Sequence, residues 1–309
     1  MSTTLIERSW NLLRFRSLPS RCKCHIIELT RSCTYHYSES IQFSLLRSHD
    51  LNRGSTVNVT ERKLHGDDRT TPYAGGPKDM RMGTSESSRL CETCKGTMVD
   101  CPGHFGVMKL ALPVFHVGYF KHTLNILQSV CKDCSQLLLS EEERQRCLKR
   151  IKTNAEPSQN ARLLKAMVDE CKKMRTCRHC GAHNGTVKKK PGESLTIIHA
   201  RFSVTKDHDM DDIVKRFEHS CAVNSEVEKS IKDALEELDP LKVQQIFSRI
   251  NDDDIQLFHM NANLCKPLDL LVTHVPTPPL CVRPTVMVDA GTTNEDDLTM
   301  KLSEMAEYN

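Results

Sequence analysis

The sequence predicts an α+β fold in which short helices and small β elements surround an irregular, metal-stabilised core. Three observations carry that expectation. Cysteines recur in close pairs between residues 91 and 180, an apolar stretch between those pairs switches from alternation to helical spacing, and the chain after residue 200 reads as short amphipathic helices.

Composition sets the outer limits. The 309 residues are 38% hydrophobic and 27% charged, enough to bury a real core. A formal net charge of +3 is too small for the whole molecule to attract a polyanion, so such attraction requires a local patch. The 15 cysteines are not preceded by a secretory signal pattern, and a reducing compartment with metal-bound and free thiols accounts for them better than disulfides do. No apolar run approaches the roughly 18 to 20 residues of a membrane span.

Residues 1–70 show no sustained helical or strand periodicity and are expected to be a disordered leader. Arg and Ser up to Arg21, with Leu5, Leu12, Leu13 and Phe15, resemble a mitochondrial presequence only faintly; an unstructured leader is the preferred reading.

The run CETCKGTMVDCPGHFG places Cys91, Cys94, Cys101 and His104 in a C-x2-C-x6-C-x2-H pattern. Soft thiolates and an imidazole in two close pairs suit a tetrahedral Zn2+ site. Gly96, Gly103 and Gly106 are expected to give the ligand turns backbone freedom. A second set joins Cys131 and Cys134 to Cys177 and Cys180, with His179 and His183 as less favoured substitutes. Both spheres are full, and neither H-E-x-x-H nor the deaminase H-x-E with P-C-x-x-C occurs, so both metals read as structural. Cys147, Cys171, Cys221, Cys265 and Cys281 lack ligand spacing and read as small buried hydrophobes.

Between the cysteine pairs, Leu110, Leu112 and Val114 alternate like a short strand, with His116 as a core or groove histidine. Phe120, Leu124, Leu127 and Val130 then take helical spacing. The insert over 140–175 predicts two helices: Ser140 and Glu143 form a capping box, and Pro157 breaks the run before a second helix from about Ser158. The insert and its exit are basic, with Lys172, Lys173, Arg175, Arg178, Lys188, Lys189 and Lys190 the candidates for nucleic-acid proximity. Few aromatics accompany them, which argues against sequence-specific readout.

The helical part over 209–262 offers Leu235, Leu238, Val243, Ile246, Phe247 and Ile250 as core positions, with Pro240 between two segments. The acidic runs at Asp209–Asp212, Asp252–Asp254 and Glu295–Asp297 read as helix starts rather than Mg2+ sites.

The segments RMGTSESSRLCETCKGTMVDCPGHFGVMKLALPVFHVGYF, VCKDC, CRHCGAHNGTVKK and PPLCVRPTVMVDAGTTNEDDLTMKL resemble the N-terminal clamp region of the largest subunit of multisubunit DNA-directed RNA polymerases, the class III form most closely. The resemblance covers about residues 78–305. It implies an irregular zinc-stabilised clamp core over 71–309, an incomplete domain, with zinc sites at 91–104 and 131–180. It further implies a lid-leading segment at 276–298, in which Pro278, Pro279, Arg283 and Pro284 match the approach and Thr285–Asp297 the loop. Arg283 thereby joins the nucleic-acid candidates. The implied partners are DNA, the RNA–DNA hybrid and other polymerase subunits, the second-largest above all, in the nucleus. The family's catalytic N-A-D-F-D-G-D segment is absent, so the Mg2+ of nucleotidyl transfer belongs to the complete polymerase and this chain is not catalytic by itself. The stop at Asn309 suggests a truncated product or an incomplete gene. A free-standing zinc-stabilised nucleic-acid-binding or scaffold protein is the alternative.

Overall fold

Val57 and Asn58 (strand β1) lie parallel to Gly106 and Val107 at the start of β2, Gly106–Phe115, and β2 pairs in turn with β6, Leu271–Thr277, in antiparallel register. This computed structural model describes residues 45–68, 71–86, 88–153, 157–201, 217–224, 226–227, 230, 235–289 and 292–309. The elements belong to the unit Arg47–Asn309. β1 is preceded by helix α1, Ser48–Gly54. Residues 47–68 are therefore part of the packed fold, which corrects the expected leader boundary at residue 70. The reason is that two β-branched residues suffice: Val57 and Val59 are buried against Met82, Met108, Leu280 and Leu302, although the flanking sequence has no period. Residues 1–44 lie outside the described residues.

β2 is longer than expected and of opposite phase. Val107, Met108, Pro113 and Phe115 are buried, whereas Leu112 and Val114 are exposed. A register shift between Lys109 and Val114 resets which side chains face inward. Helix α2, Phe120–Ser129, buries Phe120 and Leu127 as expected, with Val130 buried just past its end, whereas Ile126 is buried in place of the half-buried Leu124; Phe115 and Phe120 stack edge to face with centroids 5.7 Å apart.

The insert forms helices α3, Glu141–Thr153, and α4, Pro157–Lys173. Ser140 Oγ accepts from Glu143 N–H at 3.3 Å and Glu143 Oε2 accepts from Ser140 N–H at 3.1 Å, a reciprocal capping box. Pro157 opens α4, where a missing N–H costs nothing. The second sheet joins β3, Thr186–Lys189, β4, Ile197–Ala200, and β5, Glu236–Glu237. Helix α5, Glu218–Val223, lies between β4 and β5 in the chain, and α6, Pro240–Ser248, and α7, Asp252–Ile255, follow β5.

Leu238, Val243, Ile246, Phe247 and Ile250 are buried as expected, and full burial of such side chains is worth about 1.5–3 kcal/mol each. Leu235 is the exception at 61% exposure, because it precedes β5 rather than lying on a helix face. Asn251 caps α7 by accepting from Asp253 N–H, so the acidic run does open a helix. Asp254 accepts from Arg144 Nε, bolting α3 to α7. The Asp209–Asp212 run lies outside the described residues.

The chain continues from β6 into a hairpin, β7, Val286–Asp289, and β8, Thr292–Asn294, and then α8, Asp297–Tyr308, whose N-cap is Asp296. Among the described residues no helix is long and apolar enough to cross a membrane.

Candidate metal centres and the basic surface beside them

Among the described residues, three turns share one hydrogen-bonding scheme. Cys91, Cys131 and Cys177 each donate their N–H to the carbonyl five residues on, Gly96, Gln136 and Ala182, at 2.8–3.0 Å, and each accepts from the N–H four residues on, at 2.9–3.0 Å. The residue that donates in return, Lys95, Ser135 or Gly181, has positive φ of 59°, 61° and 70°. That conformation curls the backbone so that both cysteines of a C-x2-C pair present Sγ to one point. Sequence reasoning placed the conformational freedom of the first turn on Gly96, but Lys95 takes the left-handed position. The fourth turn instead uses Gly103, φ 81°, where an added Cβ would come within 2.6 Å of Pro279 and 2.7 Å of Cys281 Sγ.

The turns assemble two clusters: Cys91, Cys94, Cys101 with His104, and Cys131, Cys134, Cys177 with Cys180. Within each, the donor atoms lie within 4.8 Å of one another. In the second, Cys131 Sγ is 3.6 Å from Cys180 Sγ and Cys134 Sγ is 3.6 Å from Cys177 Sγ. A disulfide requires about 2.0 Å. The edge of a tetrahedron built on Zn–S bonds of about 2.3 Å is about 3.8 Å, so the spacing fits four thiolates around zinc. In the first cluster, His104 Nε2 is buried without a hydrogen-bond partner, a cost that a ligand role removes. The four-cysteine set assembles without His179 or His183.

Local fields divide the thiols. The His104 ring, with the Gly96 N–H, holds Cys94 down at about 6, while burial pushes Cys101 up to about 11. Burial also acts to raise Cys131, but the Cys134 N–H, the Asn184 amide and the Asp133 N–H outweigh it and hold the thiol at about 7. Burial drives Cys134 upward.

The remaining cysteines divide by environment. Cys171 is buried, and burial raises its thiol to about 12. Cys147 and Cys265 are half-buried, and Cys281 is exposed, with its Sγ beside Gly103. Cys221 lies outside the residues whose side chains are described. His116 is half-buried beside Tyr119, ring centroids 4.9 Å apart, and takes no part in either cluster.

Basic side chains group around the second cluster. Lys188 and Lys189 are exposed on β3, on either side of the hydrogen-bonded ladder to β4, and Arg175 and Arg178 are exposed on the approach to and within the Cys177–Cys180 turn. Lys172 and Lys173 pair with Asp169 at 3.2 Å and Glu170 at 2.8 Å, and Lys190 pairs with Glu193 and Glu237 at 2.6 and 2.9 Å. Acidic neighbours thus reduce the positive field both at the end of α4 and at Lys190, just past β3.

Arg283 does not belong to this surface. It is 1% exposed, and its guanidinium donates to Pro278 O at 2.9 Å and Thr299 Oγ1 at 3.0 Å and touches Met82 Sδ at 3.7 Å. Burial lowers its pKa to about 10. Arg283, a candidate for nucleic-acid proximity, is an internal brace in this structure, since Pro278, Met82 and α8 converge on it and leave it no open side.

The chain is similar to DNA-directed RNA polymerase III subunit RPC1 of Bos taurus, 42% identical over 271 residues that cover 86% of this chain and 19% of that protein. It is 39% identical to the Dictyostelium discoideum subunit, covering 87% and 18%, and 40% identical to that of Saccharomyces cerevisiae, covering 86% and 19%. The chain spans about a fifth of the length of these relatives. The family described as RNA polymerase Rpb1, domain 1, matches residues 36–309, reaching upstream of β1 and both cysteine clusters. With that match spanning most of its length, the chain belongs to the RNA polymerase Rpb1, domain 1 family.

Proposed function

We propose that this chain is the clamp part of a class III RNA polymerase largest subunit, working within a nuclear transcription complex and contacting DNA and the RNA–DNA hybrid. The observation that carries the reading is the family match over residues 36–309, joined to relatives named as DNA-directed RNA polymerase III subunit RPC1. In this reading both clusters hold structural zinc: the sphere of four protein ligands leaves no open position for chemistry. Zinc bound there would fix the turns and contribute folding energy directly. Other polymerase subunits, the second-largest above all, supply the rest of the cleft, and Mg2+ chemistry belongs to the complete polymerase.

The nucleic-acid role falls to Lys188, Lys189, Arg175 and Arg178, all exposed, and to Lys172, Lys173 and Lys190, each paired with an acidic side chain. Such groups bind phosphate without reading sequence. The segment Thr285–Asp297 is assigned to the family's lid, which helps part RNA from template.

The test is fluorescence anisotropy of a labelled RNA–DNA hybrid against the zinc-loaded chain over a range of salt. Binding that weakens with salt, and weakens further in Lys188→Glu/Lys189→Glu, supports the reading. Affinity unaffected by both salt and the double substitution contradicts it.

A further inference from the structure

Asn184 ties the two halves of the second cluster together with its side chain. It follows the Cys177–Cys180 turn in sequence, yet two of its three side-chain bonds go to the Cys131–Cys134 turn. Its carboxamide Nδ2 donates to Cys131 Sγ at 3.5 Å and to Ala182 O at 3.2 Å, and Oδ1 accepts from Lys132 N–H at 3.3 Å. The residue is 4% exposed, so these bonds form out of reach of water, where an unpaired amide is costly.

Backbone N–H groups reach sulfur in both clusters, as Gly103 N–H does at Cys101 Sγ over 3.4 Å in the first, and in the second the Asn184 amide is added to them. The two clusters also differ in charge. Three thiolates and an imidazole around a divalent ion leave one negative charge, whereas four thiolates leave two. The second centre therefore has more charge to disperse, and outer hydrogen bonds to ligands both orient them and tune their donor strength.

We propose that Asn184 is a positioning residue of the second metal centre, holding Cys131 Sγ toward the ion and dispersing thiolate charge through an N–H···S bond. The proposal rests on the reading that this cluster binds zinc. Asn184 also fixes the separation of the two turns, because one planar amide spans Cys131, Lys132 and Ala182 at once.

The experiment compares the full chain with Asn184→Asp, which keeps an acceptor for Lys132 N–H but sets an anion against the thiolate, and with Asn184→Leu, which removes both functions at similar size. Zinc transfer to a chromophoric chelator is followed in time, and the same proteins are loaded with Co2+ to read the sulfur-to-metal charge-transfer band. One of two zinc equivalents should leave about 10- to 100-fold faster in Asn184→Asp, a span typical of lost outer-sphere partners, while the other keeps its wild-type rate. The charge-transfer band of one centre should move to longer wavelength. Two equivalents released at wild-type rates with an unmoved band overturn the proposal alone. Joint loss of both equivalents in both variants marks a general folding role and overturns it as well. Fewer than two equivalents in the unsubstituted chain overturn the metal reading itself, and this inference with it.

Discussion

Arg283 Nη1 donates to Thr299 Oγ1 over 3.0 Å, and both residues are 1% exposed, so a cation buried at the end of one loop holds the first turn of α8. The same guanidinium reaches Pro278 O and Met82 Sδ, beside the loop that carries the first cysteine cluster. A lysine ammonium cannot span all three. Arg283→Lys is expected to lower unfolding stability by about 1–3 kcal/mol through unsatisfied buried acceptors, read from the denaturant midpoint. An unchanged midpoint would remove Arg283 as a brace.

Lys78 Nζ lies 2.9 Å from Glu295 Oε1 with both side chains under a tenth exposed, and Glu295 Oε2 accepts from Thr285 Oγ1 at 2.8 Å. This pair joins the loop before the first cluster to the residues flanking the β7–β8 hairpin. Removing one partner strands a buried charge, so Lys78→Met should cost about 3–5 kcal/mol. Lys78→Met/Glu295→Met should recover most of that loss. If the double variant is no more stable than Lys78→Met, the ion pair is not what fixes this junction.

His199, fully buried on β4, has its pKa lowered to about 4, first by burial and then by the charges of Lys132 and Arg201, which Glu236 opposes. The unfolded chain takes up a proton near the ordinary 6.5 that the folded chain refuses until about 4. The stability from this group is thus complete above pH 6.5 and declines as pH falls toward 4, by about 3 kcal/mol at roughly 1.4 kcal/mol per unit. Thiolate protonation acts equally on a His199→Phe variant, so the difference between the two pH profiles isolates the histidine. Parallel profiles between pH 4 and 6.5 would refute the assignment.

Ser140→Ala removes one arm of the α3 capping box and should cost about 1 kcal/mol, with Ser140→Asp retaining most of it. Thermal unfolding of the zinc-loaded protein checks both, and equal losses in the two variants would place the effect elsewhere than in the cap.

Much of this was legible from residue spacing. Paired cysteines announce ligand turns because two thiols three residues apart must converge when the chain curls, and Ser140 with Glu143 announces a helix start by its own hydrogen-bonding chemistry. The hidden parts are those decided by tertiary contacts. Lys95 and Ser135 give no sequence sign of left-handed backbone, since the ligand turn imposes it on whichever residue stands there. Leu112 and Val114 alternate correctly, yet a register shift turns them outward. Arg283 reads as a surface cation until Pro278, Met82 and Thr299 are seen to close around it. Val57 and Val59 sit in unpatterned sequence, and only pairing with β2 makes them core. Asn184 carries a weak signal, an amide four residues past a ligand cysteine, that acquires meaning once the other turn is placed against it.

Elemental analysis of the purified full chain tests most directly whether two independent structural zinc centres hold residues 91–180. Two zinc equivalents are expected, falling to about one in Cys131→Ser, with loss of protease resistance over 91–180 on chelation. Zero or one equivalent in the unsubstituted chain, or two equivalents retained in Cys131→Ser, would contradict that reading.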